Sequence, residues 1–280
     1  MLLADTFKSV ITRRGLQSVS LPIINGLARL QGHGVRRIFV EDGIWMHETS
    51  RGYFAYHQPY IRLRLDRLDA IARENFLWGY KPKPGDTIVD IGAGVGEETL
   101  TFSGAIGDRG KLICVEANPR TYRCLEKMVR HNGLSNVTPI FAAVTEPGRS
   151  VVTIEDDVVE YIANRVSGIA GVAVPATTID DLYRRLSLRR VHLLKMNIEG
   201  SEREAIQGMA ETLKRTEVVC VSCHDFLAQK AGDAGLRTKS LVRDFLQRNG
   251  FDAVERNESG LPPYVRDQLW GYNPELAACS

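Results

Sequence analysis

Seven residues, Asp90-Ile91-Gly92-Ala93-Gly94-Val95-Gly96, follow a short apolar run and put three glycines at alternate positions behind an acid. Glycines there let a backbone close on a ligand, and two ligands suit such a turn. A nicotinamide dinucleotide takes G-x-G-x-x-G and rests its pyrophosphate on a helix N-terminus. This turn is one residue shorter, and Glu97 and Glu98 follow at once where the helix should begin. Two carboxylates there repel a pyrophosphate but suit the sulfonium and ammonium of S-adenosylmethionine. Asp90 is placed to hold the ammonium side, directly or through water. Glu116, 20 residues after Gly96, can accept from both ribose hydroxyls of either ligand and so does not discriminate.

A second set of polar residues lies further on. Lys195, Asn197 and Glu199 alternate in "LKMNIEG" and share one side of a strand tip, and His224 follows the apolar run "VVCVSC". An acceptor hydroxyl needs a group to take its proton. His224, with an ordinary pKa close to neutral, is the first candidate base. Glu199 is the second, orienting His224 or acting alone. The structural alternatives are an ion pair for Lys195, a helix cap for Glu199 and a loop contact for His224.

The elements that must position these residues alternate. From Asp86 onward, strands at "TIVDIG", "KLICVEA", "VTPIFAAV", "VHLLKMNIEG" and "EVVCVSCH" are separated by helical segments. "FDAVER" and "QLWGYN" can finish the sheet. Such alternation implies an α/β fold, a doubly wound Rossmann-like sheet whose ligand lies beyond the strands' carboxyl ends. Residues 1–80 form an expected appendage: a helical stretch over 1–31 broken near Pro22, a hairpin around Asp42-Gly43, and a helix bearing Ile61, Leu65, Leu68 and Ala72. Tyr53, Tyr56, Tyr60, Phe76 and Trp78 are expected in its core, some of them able to roof the acceptor pocket. "KPKPGD" (81–86) marks the boundary, and 81–280 is the expected ligand-binding domain.

Several motifs in order resemble the FkbM-like family of class I methyltransferases. The family's D-x-G-A-x-x-G with a following Thr is matched by Asp90 to Gly96 and Thr99. Its E-P-N-P is "EANP" (116–119), its T-x-D-D-L lies within "TTIDDL" (177–182), and its L-K-x-D-x-E-G-x-E is "LKMNIEGSE" (194–202). The likeness covers roughly residues 80–275. It implies a class I methyltransferase sheet and S-adenosyl-L-methionine as cofactor. Cofactor contacts are implied from Asp90, Gly92, Ala93, Gly94, Gly96, Thr99, Glu116, Ala117, Asn118 and Ala142. It also implies O-methylation of a sugar, glycolipid or polyketide-type acceptor. One position departs: the family's common Asp in the fourth-strand motif is Asn197 here. An amide is neither a base nor a strong divalent-metal ligand, so no metal is expected. The alternatives are a non-catalytic S-adenosylmethionine-binding subunit, a metal-assisted methyltransferase and a nicotinamide oxidoreductase.

Composition narrows the partners. Of 280 residues 44 % are apolar and 25 % charged, with a net charge of +2, so no nucleic acid is expected. Residues 1–85 carry 13 Lys/Arg against seven Asp/Glu, and the rest 23 against 27. A basic first third suits an anionic membrane surface or a phosphate-bearing acceptor, though a solvated face has the same composition. No apolar run spans a bilayer and the first residues show no secretory pattern. Five cysteines without framework spacing fit a reducing, cytoplasmic setting, and Cys220 and Cys223 should point to opposite faces of a strand. The acceptor pocket is expected from loops 145–176 and 226–240. The appendage could carry a homo-oligomer contact.

Overall fold

A computed structural model describes residues 17–154, 171–226, 228, 235, 237–256 and 258–277. After a helix over Gln17–Leu30, three strands, β1 (Val35–Glu41), β2 (Ile44–Thr49) and β3 (Gly52–Tyr56), form an antiparallel sheet. Asp42 and Gly43, both with positive φ, make the tight turn that "DG" predicts, whereas β3 was not expected. Ten strands follow: β4 (Thr87–Ile91), β5 (Lys111–Glu116), β6 (Val137–Phe141), β7 (Ala143–Val144), β8 (Val151–Ile154), β9 (Val172–Thr177), β10 (Val191–Met196), β11 (Thr216–Ser222), β12 (Asp252–Glu255) and β13 (Gln268–Tyr272). Seven of them build the main sheet in the order β12-β13-β11-β10-β4-β5-β6. All its pairs are parallel except those of β13, which runs antiparallel to both neighbours. The chain winds outward from β4 through β5 to β6, then returns to β10 on the other side of β4. That reversal opens a crevice at the carboxyl ends of β4 and β10.

Alternation along each strand separates two cores. Ile88, Leu112, Cys114, Leu193 and Cys220 face the side covered by helices Thr99–Ile106 and Pro119–His131. Val89, Ile113, Leu194, Met196 and Cys223 face the side covered by helices Ile179–Arg185 and Lys239–Arg248. Cys220 and Cys223 therefore lie on opposite sides, as strand geometry requires. The N-terminal strands share the first core, through Trp45, Met46, Phe54 and Tyr56. Helix Pro119–His131 starts where Asn118 Oδ1 accepts from the backbone N–H of Arg120 and Thr121, at 2.9 and 3.1 Å.

Two expectations fail. The helix Gln17–Leu30 runs through Pro22 without breaking. Asn25 anchors it, donating to Ile38 O at 2.8 Å and accepting from Ile38 N–H at 2.7 Å, and Ser20, Ile24 and Ala28 are buried. That anchoring outweighs one lost backbone hydrogen bond. The stretch "SEREAIQGMAETLKR", one of the segments expected to be helical between strands, is instead three short turns, with Gly208 packed closely on Thr178. Among the described residues no helix is long and apolar enough to cross a membrane.

Candidate active site

Strand β4 delivers Asp90 and ends at Ile91, and the glycine turn follows. Gly92 (φ 76°) lies against the carbonyl of Asn197, where a Cβ would clash with the backbone oxygen. Gly96 (φ 89°) packs on Met128 and Leu125 and sets the distance of helix Pro119–His131. Gly94 (φ 59°) differs: a Cβ there meets no protein atom. Its face is open to a cleft of about 1050 Å³, solvent-filled mouth included, walled by the turn, by the ends of β5 and β10 and by β7.

Of the residues singled out from sequence, Gly92, Ala93, Gly94, Glu116, Ala117, Asn118, Ala142, Lys195, Asn197 and Glu199 all line this cleft. Asp90, Gly96, Thr99 and His224 do not. Asp90 is 0 % exposed below the turn, its Oδ1 2.7 Å from Lys195 Nζ. The carboxylate that spacing places toward a ligand ammonium, directly or through water, is thus paired with Lys195 beneath the turn. In the parallel register Lys195 lies directly opposite Asp90, which is why the two pair. Lys195 also donates to Gly92 O at 3.0 Å and sits 4.9 Å from the Phe76 ring centroid. Burial pulls its pKa down, but Asp90 and Glu98 outweigh that and hold it above the ordinary value, so the ammonium stays charged. Thr99 is buried with its hydroxyl 3.7 Å from Cys114 Sγ.

The cleft wall is acidic. Glu116 accepts from Gly94 N–H at 2.9 Å and Asn118 N–H at 2.8 Å, so β5 and the glycine turn hold each other. Glu97 and Glu98 join it on the wall. Burial raises the pKa of Glu97 and Glu116 and pushes Glu98 up to about 7. Tyr56, from β3, donates its hydroxyl to Glu97 Oε1 at 3.0 Å. That link spans 41 residues and left no trace in sequence spacing. Glu97 and Glu98, by contrast, adjoin Gly96 and could have been placed on the wall from sequence.

At the other lip, His224 stands between two carboxylates. Its Nε2 is 3.3 Å from Glu199 Oε1, and its Nδ1 is 3.6 Å from Glu202 Oε1. Burial lowers the pKa of His224, but Glu202 and Glu199 overcome this and raise it above the ordinary 6.5. Free of tuning, as expected from sequence, it is not. Glu202 is fully buried and accepts from Gly200 N–H and the Thr238 hydroxyl, at 3.1 and 3.0 Å. Glu199 (φ 54°) and His224 (φ 52°) are two of the four non-glycine residues with positive φ among the described residues. Of the loops expected to shape the acceptor pocket, 155–170 and 227, 229–234 and 236 lie outside the described residues. Among the described residues no group of three His, Cys, Asp or Glu converges as metal ligands do.

A family model for the methyltransferase FkbM domain matches residues 90–253, from the acid before the glycine turn to β12. The chain belongs to the FkbM methyltransferase family. Its FkbM domain is similar to several solved structures in fold. One is methyltransferase FkbM from Methylobacillus flagellatus KT, at 18 % identity and TM-score 0.45, covering 67 % of this chain and 44 % of that one. This chain thus spans less than half of that protein. Another is Aeropyrum pernix fibrillarin in complex with natively bound S-adenosyl-L-methionine, at 16 % identity and TM-score 0.44, covering 85 % and 98 %. A third is a SAM-dependent O-methyltransferase from Thermotoga maritima, at 14 % and 0.42, covering 81 % and 77 %. No curated protein matches the chain in sequence.

Proposed function

We propose that this FkbM-family chain binds S-adenosyl-L-methionine and methylates a hydroxyl of a sugar, glycolipid or polyketide-type acceptor. The observation that carries the reading is the charge of the cleft wall. Glu97, Glu98, Glu116 and Glu199 line it, and Lys195, the one lysine among the described lining residues, is already paired with Asp90. Such a wall attracts a cationic ligand and repels a pyrophosphate, which disfavours the nicotinamide reading. Two buried polar atoms on the same wall, Asn118 Nδ2 and Thr121 Oγ1, have no hydrogen-bond partner among the described residues and suit an adenosyl group. Thr121 was not singled out from sequence.

In this reading Glu116, Asn118 and Thr121 hold the adenosyl half, with Gly92, Ala93, Gly94, Ala117 and Ala142 around it. Glu97 and Glu98 take over from Asp90 as the partners of the cationic end. Bound there, the cofactor supplies a methyl carbon on a sulfonium leaving group. The chain's own task is to place the acceptor oxygen and take its proton. Glu199 stands on the wall and receives the proton at its carboxylate. His224 Nε2 shares it, so the Glu199–His224 pair, with Asn197 beside it, acts as the base. Two strained, facing polar residues at a cleft mouth favour an enzyme over a non-catalytic subunit. Asn197 offers an amide where a metal-assisted mechanism wants a carboxylate. Residues 81–280 form the transferase unit in this reading, and 1–80 the appendage that reaches Glu97 through Tyr56. The buried thiols of Cys114, Cys124, Cys220 and Cys223 suit the cytoplasm.

A thermal-shift comparison tests this. S-adenosylmethionine and its demethylated product should both raise the melting temperature, and NAD should not. Stabilisation by NAD alone would reverse the assignment. Intact-mass screening of hydroxylated glycans, lipids and polyketides should then find one methyl gain per acceptor, and a gain on nitrogen alone would remove the O-methyl reading.

A further inference from the structure

Helix Gln17–Leu30 buries one stripe, Ser20, Ile24 and Ala28, against the core. A second stripe, about 100° around the helix, is apolar as well. Val19 is 63 % exposed, Ile23 53 %, Leu27 37 % and Leu30 85 %. These four account for half of the eight large exposed hydrophobics among the described residues, and spacings of four, four and three align them on one flank. Scattered exposed hydrophobics are ordinary; a row of them on one helix asks for a covering surface.

The charge of this part of the sequence says which. From Thr6 to Val40 the chain carries Lys8, Arg13, Arg14, Arg29, Arg36 and Arg37 and no Asp or Glu. Arg29 reaches back from the helix to donate to Arg36 O at 3.4 Å, and the exposed Arg62 donates to Gln31 Oε1 at 3.0 Å just past the helix end. Arginines therefore rim the end of the row that Leu30 occupies. We propose that this flank of helix Gln17–Leu30 is a docking surface for an anionic membrane, with the apolar row entering the headgroup boundary and the arginines meeting lipid phosphates. A symmetric second copy fits less well, because an isologous contact would set one arginine rim against another. The inference is independent of the methyl-transfer reading, since the cleft shares none of these residues.

Vesicle flotation of the full chain tests it, with phosphatidylcholine alone and with about one-third phosphatidylglycerol, at low and high salt. The chain should float with the anionic vesicles and be largely released by salt. Ile23→Ser with Leu30→Ser should lower the bound fraction about tenfold or more without moving the melting temperature. Leu30→Glu alone repeats the test at the helix end if the double variant melts early. Arg36→Gln with Arg62→Gln should weaken binding to anionic vesicles by a similar factor. No flotation with anionic vesicles at low salt would overturn the proposal. So would unchanged binding by both apolar variants. A dimer in analytical ultracentrifugation that Leu30→Glu splits, with no vesicle binding, would assign the flank to a second copy instead.

Discussion

Glu199 and His224 hold left-handed backbone conformations that cost a residue with a Cβ roughly 1–2 kcal/mol. A residue kept there against its preference is held by its neighbours, here by the ion pair across the cleft mouth. Two substitutions expose that cost. Glu199→Gly and Glu199→Ala both delete the carboxylate, but only glycine relieves the backbone, so Glu199→Gly should be about 1 kcal/mol more stable in urea denaturation. Equal stability would mean the strain is absent. His224→Ala should lower kcat by roughly 10²–10⁴ while leaving the cofactor Kd nearly unchanged. The pH dependence has a definite sign. His224 is raised above 6.5, so the rate should climb with pH through a pKa above that value, as the neutral imidazole forms. The stability from its carboxylate partners runs the other way: fully present below 6.5, it is lost as pH rises through the folded pKa. Glu199→Gln should move the kinetic pKa down. A rate flat across pH 6–9, on the order of the range a raised histidine would cover, would take the proton away from this pair.

Among the elements, the N-terminal three-stranded sheet depends on a histidine of the opposite kind. His47, on β2, is 0 % exposed; its Nε2 accepts from Tyr60 N–H at 2.9 Å and its Nδ1 lies 3.2 Å from Trp45 O. That pattern fits only the neutral ring with its proton on Nδ1. Burial holds its pKa down to about 4, so protonation must break into the core. A depressed folded pKa means the unfolded chain binds the proton more tightly. Stability is therefore complete above 6.5 and declines as pH falls toward 4, by about 3 kcal/mol at most. Near-UV circular dichroism and melting temperature should follow that window. His47→Gln should remove most of the slope while lowering stability at neutral pH; an unchanged slope would place the acid sensitivity elsewhere.

At the scale of the whole molecule, one buried ion pair sits where three parts of the chain meet. Asp90 lies next to the end of β4, Lys195 next to the end of β10, and Phe76 from the N-terminal segment covers the ammonium. Lys195→Met leaves Asp90 buried without a counter-charge and should cost about 3–5 kcal/mol. Adding Asp90→Asn should recover part of that loss, because the stranded charge is gone. Since the N-terminal sheet and the main sheet share one apolar core, both variants should melt in a single transition. Two separated transitions would show that the parts fold independently.

Sequence alone determined the strand-helix alternation, the hairpin at Asp42-Gly43, the glycine turn and its acidic character, and the motif order that marks the family. These are local: periodicity, turn chemistry and adjacent charges act within a few residues and need no knowledge of what packs against them. Tertiary structure decided what depends on partners distant in the chain. Asp90 and Lys195 look unrelated in one dimension, yet parallel register sets them opposite each other and burial makes each the other's partner. His224 looks like an ordinary base until Glu199 and Glu202 stand on either side and raise its pKa. Tyr56 reaches Glu97 only because the N-terminal sheet folds onto the same core as the cleft. Spacing reports which residues share a strand. The energy of a charge depends on what surrounds it, and only the folded chain supplies those surroundings.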